Sequence, residues 1–130
     1  MKVVEFITDL QLTVLKDKNF RLAKDFYVRL DGFDIVIPEG FETDLASVPR
    51  LPLVFFLVGG RGHKAAVLHD WLLYKAMYTK PICDQYFYHA LRENGVGLIL
   101  AKAMYLGVKL GGQSWYRNHE INLEREKQHG

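Results

Sequence analysis

A histidine and two aspartates are spaced so that they could form a catalytic site. His69 and Asp70 are neighbours in the segment from Ala65 to Tyr74, and Asp84 lies in the segment from Cys83 to Leu91. Apolar residues recur at helical spacing around His69 and Asp84, which predicts that both face the interior of a helix pair. A buried carboxylate is costly unless it is paired or binds a metal. The chemistry of such a pair is general-base catalysis, in which the carboxylate holds the imidazole in one tautomer.

The contact between His69 and Asp84 depends on where the first helix ends. If that helix ends near Lys75 and the second starts near Lys80, His69 lies six residues before the turn and Asp84 four after it. The two side chains then lie at depths of roughly 9 and 6 Å and can meet. If the first helix continues to Tyr78, His69 moves to roughly 13 Å and the pair separates. The predicted pair therefore requires an early helix end.

The elements that must position these residues are strands in the first half of the chain and helices in the second. Residues 1–50 contain runs of alternating apolar and polar residues, such as Phe20 to Leu30, and a turn signal at Asp31-Gly32. They predict three or four antiparallel strands. Residues 63–112 predict three helices, with Thr79 as the N-cap of the second. The predicted fold class is α+β, with a small antiparallel β-sheet followed by three packed helices.

Composition and charge exclude several classes of protein. The 130 residues predict a single α+β domain over residues 1–112, followed by a polar tail or short helix over residues 113–130. The net charge of +2 has no run of either sign, so we expect no nucleic-acid binding. One cysteine excludes an intrachain disulfide framework. The longest uncharged apolar stretch, residues 51–60, is too short for a transmembrane helix, and acidic residues within residues 1–9 argue against a signal peptide.

Each candidate residue has a functional and a structural interpretation, and the sequence leaves both open. His69 and Asp84 form either a catalytic pair or a buried polar pair that locks two helices together. Asp70 is a metal ligand beside the base, a solvent-facing helix residue or a cap for a nearby loop. Asp44 either reaches the site or satisfies backbone donors in a turn. Arg50 either binds an anionic substrate or pairs with one of the aspartates.

Two motifs together resemble a domain of unknown function that is common in tailed bacteriophages and prophages. The first motif is Gly40-Phe41-Glu42-Thr43-Asp44-Leu45-Ala46-Ser47-Val48-Pro49-Arg50, and the second is His69-Asp70-Trp71-Leu72-Leu73-Tyr74, followed by Asp84-Gln85-Tyr86-Phe87. The resemblance covers roughly residues 10–112 and implies a phage origin without a settled activity. Tyr74 lies one position later than the tyrosine of the family pattern. We predict Tyr74 and Arg50 as substrate-binding residues.

The helical half is similar to secreted and parvoviral phospholipases of the A-two class, which carry His-Asp-x-x-Tyr on one helix and an aspartate on an antiparallel helix. This resemblance implies that His69 is the base, Asp84 the orienting carboxylate and Asp70 a ligand of calcium or another divalent cation. The glycine-rich residues 59–62 lie too close to His69 to match the calcium loop of those enzymes. Calcium takes six to eight oxygen ligands, and Asp44 and backbone carbonyls are the remaining candidates.

Two functions from different classes follow from these residues. The first is a phage-encoded hydrolase-like protein that acts on lipid ester or cell-envelope material. The second is a non-enzymatic virion, tail or assembly protein in which the His-Asp cluster is a structural clamp. Both imply synthesis in the cytoplasm of a bacterial host, with other virion proteins or the bacterial envelope as partners, and both leave the oligomeric state open. An opening to solvent at His69 favours the enzyme, whereas a sealed pair is compatible with the clamp.

Overall fold

The computed structural model describes residues 2–16, 19–43 and 62–110, and all strands in these ranges precede residue 44. The strands are β1 (Val4–Phe6), β2 (Leu12–Val14), β3 (Phe20–Leu22), β4 (Phe26–Leu30), β5 (Phe33–Ile37) and β6 (Glu42–Thr43). They pair into two antiparallel three-stranded sheets, in the orders β1-β4-β5 and β2-β3-β6. The antiparallel half of the predicted fold is therefore present, as two small sheets.

The hairpin between β4 and β5 turns at Asp31 and Gly32, as predicted. Leu30 and Phe33 form the last cross-strand pair, and the two residues between them have φ values of 48° and 86°. Positive φ at both central positions belongs to the two-residue turn that matches the twist of a hairpin, and glycine adopts it without strain. The turn fixes a register in which Phe26, together with Leu30, faces the core.

The alternation from Phe20 to Leu30 predicts one strand, and this prediction is wrong. The chain bends at residues 23–25, so that β3 ends at Leu22 and β4 begins at Phe26. Leu22 and Phe26 are both buried. They are four residues apart, so the apolar residues fall at even-numbered positions both before and after the bend. For this reason the alternation contains no sign that the chain passes from one sheet to the other.

Three helices occupy residues 62–110, namely α1 (His63–Lys75), α2 (Lys80–Glu93) and α3, whose described part covers residues 98–110. α1 ends early because Ala76 has a left-handed backbone (φ 51°, ψ 37°) and its N–H donates to the carbonyls of Leu72 and Leu73. A left-handed residue of this kind is a common helix end. Thr79 occupies the N-cap position of α2, as predicted, although its side chain makes no capping hydrogen bond. Gly95, with a φ of 85°, follows the last turn of α2.

α1 is the central element of the core. Nine consecutive residues from Ala65 to Leu73 are buried, so α1 is enclosed on all sides, whereas a surface helix buries one stripe. Most of the apolar residues that complete this core come from the strands, α2 and α3, and they include Val4, Leu22, Phe26, Val28, Leu30, Ile37, Phe87, Ala90, Leu91, Ala101, Met104 and Val108. This arrangement places His69, in the middle of α1, at the centre of the molecule's described part.

Some predicted features lie outside the described residues. They include Asp44 and Arg50 in the first motif and the whole of the predicted tail, residues 113–130. The division into a domain and a tail stays a prediction. Within the described ranges, no helix has the length and apolar character needed to cross a bilayer.

Candidate active site at the helix pair

His69 and Asp84 meet where α1 and α2 pack together. His69 lies in the middle of α1, Asp84 lies one turn into α2, and residues 76–79 join the two helices. The distance from His69 Nε2 to Asp84 Oδ1 is 2.6 Å. The contact expected from an early end of α1 is present, because both side chains then lie at similar depths below the connection. The catalytic role of the pair stays a prediction.

Lys80 completes the cluster, and the sequence analysis missed it. Its Nζ lies 2.5 Å from Asp84 Oδ2 and 3.0 Å from the carbonyl oxygen of Val108. Lys80 therefore connects α2 to α3 as well as neutralising Asp84. The i,i+4 spacing of Lys80 and Asp84 on one helix was the signal that could have found the ion pair. No sequence pattern indicated the bond to Val108. We refer to His69, Asp84 and Lys80 as the buried triad.

The ion pair decides which nitrogen of His69 carries the proton. With Lys80 charged, the Asp84 carboxylate accepts a hydrogen bond at each of its oxygens. Nε2 of His69 is then the donor, and in the neutral ring Nδ1 is left as an acceptor. The tautomer therefore follows from the hydrogen-bond network. It is the tautomer in which Nδ1 can take a proton from water.

The Nδ1 atom of His69 is buried and has no hydrogen-bond partner among the described residues. The ring of Phe87 lies beside the imidazole, with 5.2 Å between ring centroids. A buried acceptor without a partner costs about 1–3 kcal/mol, and such atoms are rare enough in native proteins to require an explanation. The side chains of His69 and Asp84 are 0% and 2% exposed, so this pair lacks the opening to solvent that favours an enzyme.

Asp70 lies apart from the triad, at the junction of α1 and β6. Its Oδ2 accepts a hydrogen bond of 2.5 Å from the Thr43 hydroxyl. Thr43 is the last described residue before Asp44, the other predicted metal ligand. Among residues 2–16, 19–43 and 62–110, no group of three or more His, Cys, Asp or Glu side chains could hold a metal ion. The cation proposed at Asp70 and Asp44 stays a prediction, because Asp44 lies outside the described residues.

Tyr74 lies on the surface in an aromatic cluster and not beside His69. Its side chain is 56% exposed, and its ring packs against those of Phe41 and Trp71 with centroid distances of 5.6 and 5.9 Å. Tyr74 follows Asp70 by four residues, so these two lie on one face of α1. A substrate bound by Tyr74 would thus approach the Asp70 side of α1. Arg50, the other predicted substrate-binding residue, is outside the described residues.

Cys83 precedes Asp84 in the chain, and its buried environment disfavours the thiolate form. Burial, with a smaller contribution from the Asp84 carboxylate, raises the pKa of the Cys83 thiol to about 12. The protonated thiol is a poor nucleophile. On the other side of α2, the Tyr86 hydroxyl donates a hydrogen bond of 2.7 Å to Asp31 Oδ2 in the β4–β5 turn. Burial and this hydrogen bond raise the pKa of Tyr86. The neutral Tyr86 hydroxyl therefore acts as the donor that links α2 to the hairpin.

Comparison with known proteins gives one family and one curated relative. The sequence profile of the family described as "Protein of unknown function (DUF1353)" matches residues 20–108. The chain is also similar to the "Uncharacterized protein y4jT" of Sinorhizobium fredii (strain NBRC 101917 / NGR234), with 33% identity over 101 residues that make up 74% of this chain and 30% of that protein. No solved structure matches the chain. The matched region contains β3 to β6 and all three residues of the buried triad.

Proposed function

The chain belongs to the family described as "Protein of unknown function (DUF1353)", and from that premise we propose that it is a hydrolase-like protein in which His69 activates a water molecule. The observation that carries the proposal is the Nδ1 atom of His69, which is buried and unpartnered among the described residues while Nε2 is held by Asp84 at 2.6 Å. A carboxylate on one nitrogen and a free lone pair on the other are the arrangement of an oriented general base.

In the proposed reaction each member of the triad has one task. Nδ1 of His69 removes a proton from water as the water attacks an ester carbon or a related centre, and it later returns that proton to the leaving group. Asp84 keeps Nε2 protonated and stabilises the imidazolium. Lys80 holds the Asp84 carboxylate by its second oxygen, which fixes the direction of Oδ1. Because the charge of Lys80 offsets that of Asp84, the imidazolium gains less stabilisation than beside an unpaired carboxylate.

Burial sets a condition on the proposal. The His69 side chain is 0% exposed, so the reaction requires an opening that admits a water molecule and the reacting bond to Nδ1. The hydrolysis assays below test for that opening directly, because a permanently sealed histidine yields no turnover.

Substrate, origin and cation are the finer parts of the proposal. Lipid ester or cell-envelope material is the proposed substrate class, and a phage-encoded protein made in the bacterial host, with the envelope or virion proteins as partners, is the proposed setting. These parts rest on the motif resemblance. A divalent cation held by Asp70 and Asp44 is a separate part, and no step above depends on it. Metal analysis of the purified protein and hydrolysis with and without a chelator test it.

The decisive experiment compares His69→Gln with the wild-type protein in a screen of liposome and envelope hydrolysis. Loss of a general base lowers a rate by 10²–10⁴-fold, so we expect His69→Gln to lower hydrolysis by at least about 100-fold. His89→Gln is the matched control, since His89 lies on α2 outside the triad and should retain activity. Thermal unfolding checks that both variants are folded. A folded His69→Gln protein with undiminished hydrolysis would overturn the assignment.

The alternative is a non-enzymatic virion, tail or assembly protein in which the triad is a clamp. Two observations favour it: the pair of His69 and Asp84 is sealed, and Lys80 ties α2 to the Val108 carbonyl on α3. Under this alternative the wild-type protein hydrolyses nothing in the screen. His69→Gln then lowers the unfolding temperature without any loss of activity to measure, and a defined ring of copies in solution would support an assembly role.

A further inference from the structure

α3 is apolar on two opposite sides, and only one of them is buried. Ala101, Met104 and Val108 face the core and are at most 3% exposed. Ile99, Leu106 and Leu110 lie on the opposite side of the helix, because each is two residues, or about half a turn, from a buried residue. They are 86%, 51% and 74% exposed. A helix that is apolar on both sides is normally covered on both.

The charges beside this outer face are all of one sign. Lys102 and Lys109 are exposed and seven residues apart, so they line the same flank of α3. No aspartate or glutamate occurs from Asn94 to His119, whereas that stretch contains Lys102, Lys109 and Arg117. An exposed apolar patch of this kind is typical of an interaction site. Lysines beside it, without acidic residues, favour an anionic partner.

We propose that the outer face of α3 docks on an anionic lipid surface. Ile99, Leu106 and Leu110 enter the boundary between head groups and acyl chains, and Lys102 and Lys109 contact the head groups. Apolar residues beside a basic flank are the pattern of helices that lie in the plane of a membrane, and each basic residue near an anionic surface adds to the attraction. A second copy of the chain fits less well, because a symmetric contact through this face offers the lysines no acidic partner.

This inference is independent of the hydrolase proposal, since docking is measured without turnover. His69→Gln should bind vesicles as the wild-type protein does, whatever its effect on hydrolysis. Failure of one proposal therefore leaves the other standing.

The test is co-sedimentation of the full chain with vesicles of phosphatidylcholine alone and with vesicles enriched in phosphatidylglycerol. We expect binding to the anionic vesicles that weakens as salt is added. Leu106→Gln and Leu110→Gln should each weaken it roughly tenfold, and Lys102→Gln about fivefold. The controls are Phe33→Gln on β5 and Lys24→Gln between β3 and β4, which alter an exposed apolar residue and an exposed lysine outside α3 and should leave binding unchanged.

Three outcomes would overturn the inference. The first is vesicle binding that the α3 variants leave intact, which would assign it to another part of the chain. The second is equal binding to neutral and anionic vesicles. The third is absence of vesicle binding, with or without a dimer that Leu106→Gln dissociates. Because the substituted side chains are exposed, circular dichroism and thermal unfolding should show folded variants, so a loss of binding is not a loss of structure.

Discussion

Substitution of Asp84 by asparagine should destabilise the protein much more than the same change at an exposed ion pair. The carboxylate accepts from His69 at 2.6 Å and from Lys80 at 2.5 Å, and its side chain is 2% exposed. Asparagine keeps the volume and one acceptor oxygen but removes the charge. The Lys80 ammonium, which is 8% exposed, then has no buried counter-charge. Its remaining contact outside residue 84 is the neutral carbonyl of Val108.

The size of the effect follows from these contacts. Hydrogen bonds to charged groups contribute about 1.5–3 kcal/mol each, and removal of one member of a buried ion pair costs about 3–5 kcal/mol. Asparagine retains part of one hydrogen bond. We therefore expect Asp84→Asn to lower the free energy of unfolding by about 3 kcal/mol. In the double variant Lys80→Met/Asp84→Asn no buried ammonium is left unpaired. The stability losses of Lys80→Met and Asp84→Asn, added together, should therefore exceed the loss in the double variant by about 2 kcal/mol.

The measurement is urea unfolding, followed by far-UV circular dichroism and by tryptophan fluorescence to check for a two-state transition. Asp34→Asn is the matched control. Asp34 pairs with Arg29 at 2.6 Å, but the two side chains are 58% and 40% exposed, and such surface pairs contribute little. Equal losses for Asp84→Asn and Asp34→Asn, or additive losses in the double variant, would refute the reasoning that burial gives the triad its energy.

Three smaller predictions concern the backbone, the thiol and the surface. Ala76→Gly should raise the free energy of unfolding by about 0.5–1 kcal/mol, because alanine is strained at a φ of 51°; urea unfolding checks this, and a loss of stability would contradict it. The Cys83 thiol, whose pKa is raised to about 12, should resist alkylation at pH 8 in the folded protein and react once urea unfolds it; rapid reaction of the folded protein would count against its burial. Arg29 lowers the pKa of Asp34, so the contribution of this pair to stability should be complete above about pH 4 and disappear as pH falls through the lowered folded pKa. Asp34→Asn should remove that part of the pH dependence, and an unchanged profile would contradict the pairing.

Local physical chemistry in the sequence determined the elements and one contact. Asp31-Gly32 specifies the hairpin, because a two-residue turn of this hand needs positive φ. Helix spacing and an early end of α1 bring His69 to Asp84. The rise per residue of a helix gives the depth of each side chain below the short connection between α1 and α2, and the two depths are similar. The same local reasoning missed the bend between β3 and β4, since that bend preserves the apolar parity.

Tertiary structure alone decided the remaining contacts of the candidate site and its access to water. Lys80 reaches the Val108 carbonyl 28 residues away, Asp70 turns to Thr43, and His69 is sealed with Nδ1 unpartnered among the described residues. Each of these depends on which elements pack around α1 from distant parts of the chain. Spacing along a helix specifies the face on which a side chain lies. The partner of that side chain and its access to water depend on which distant elements pack against that face.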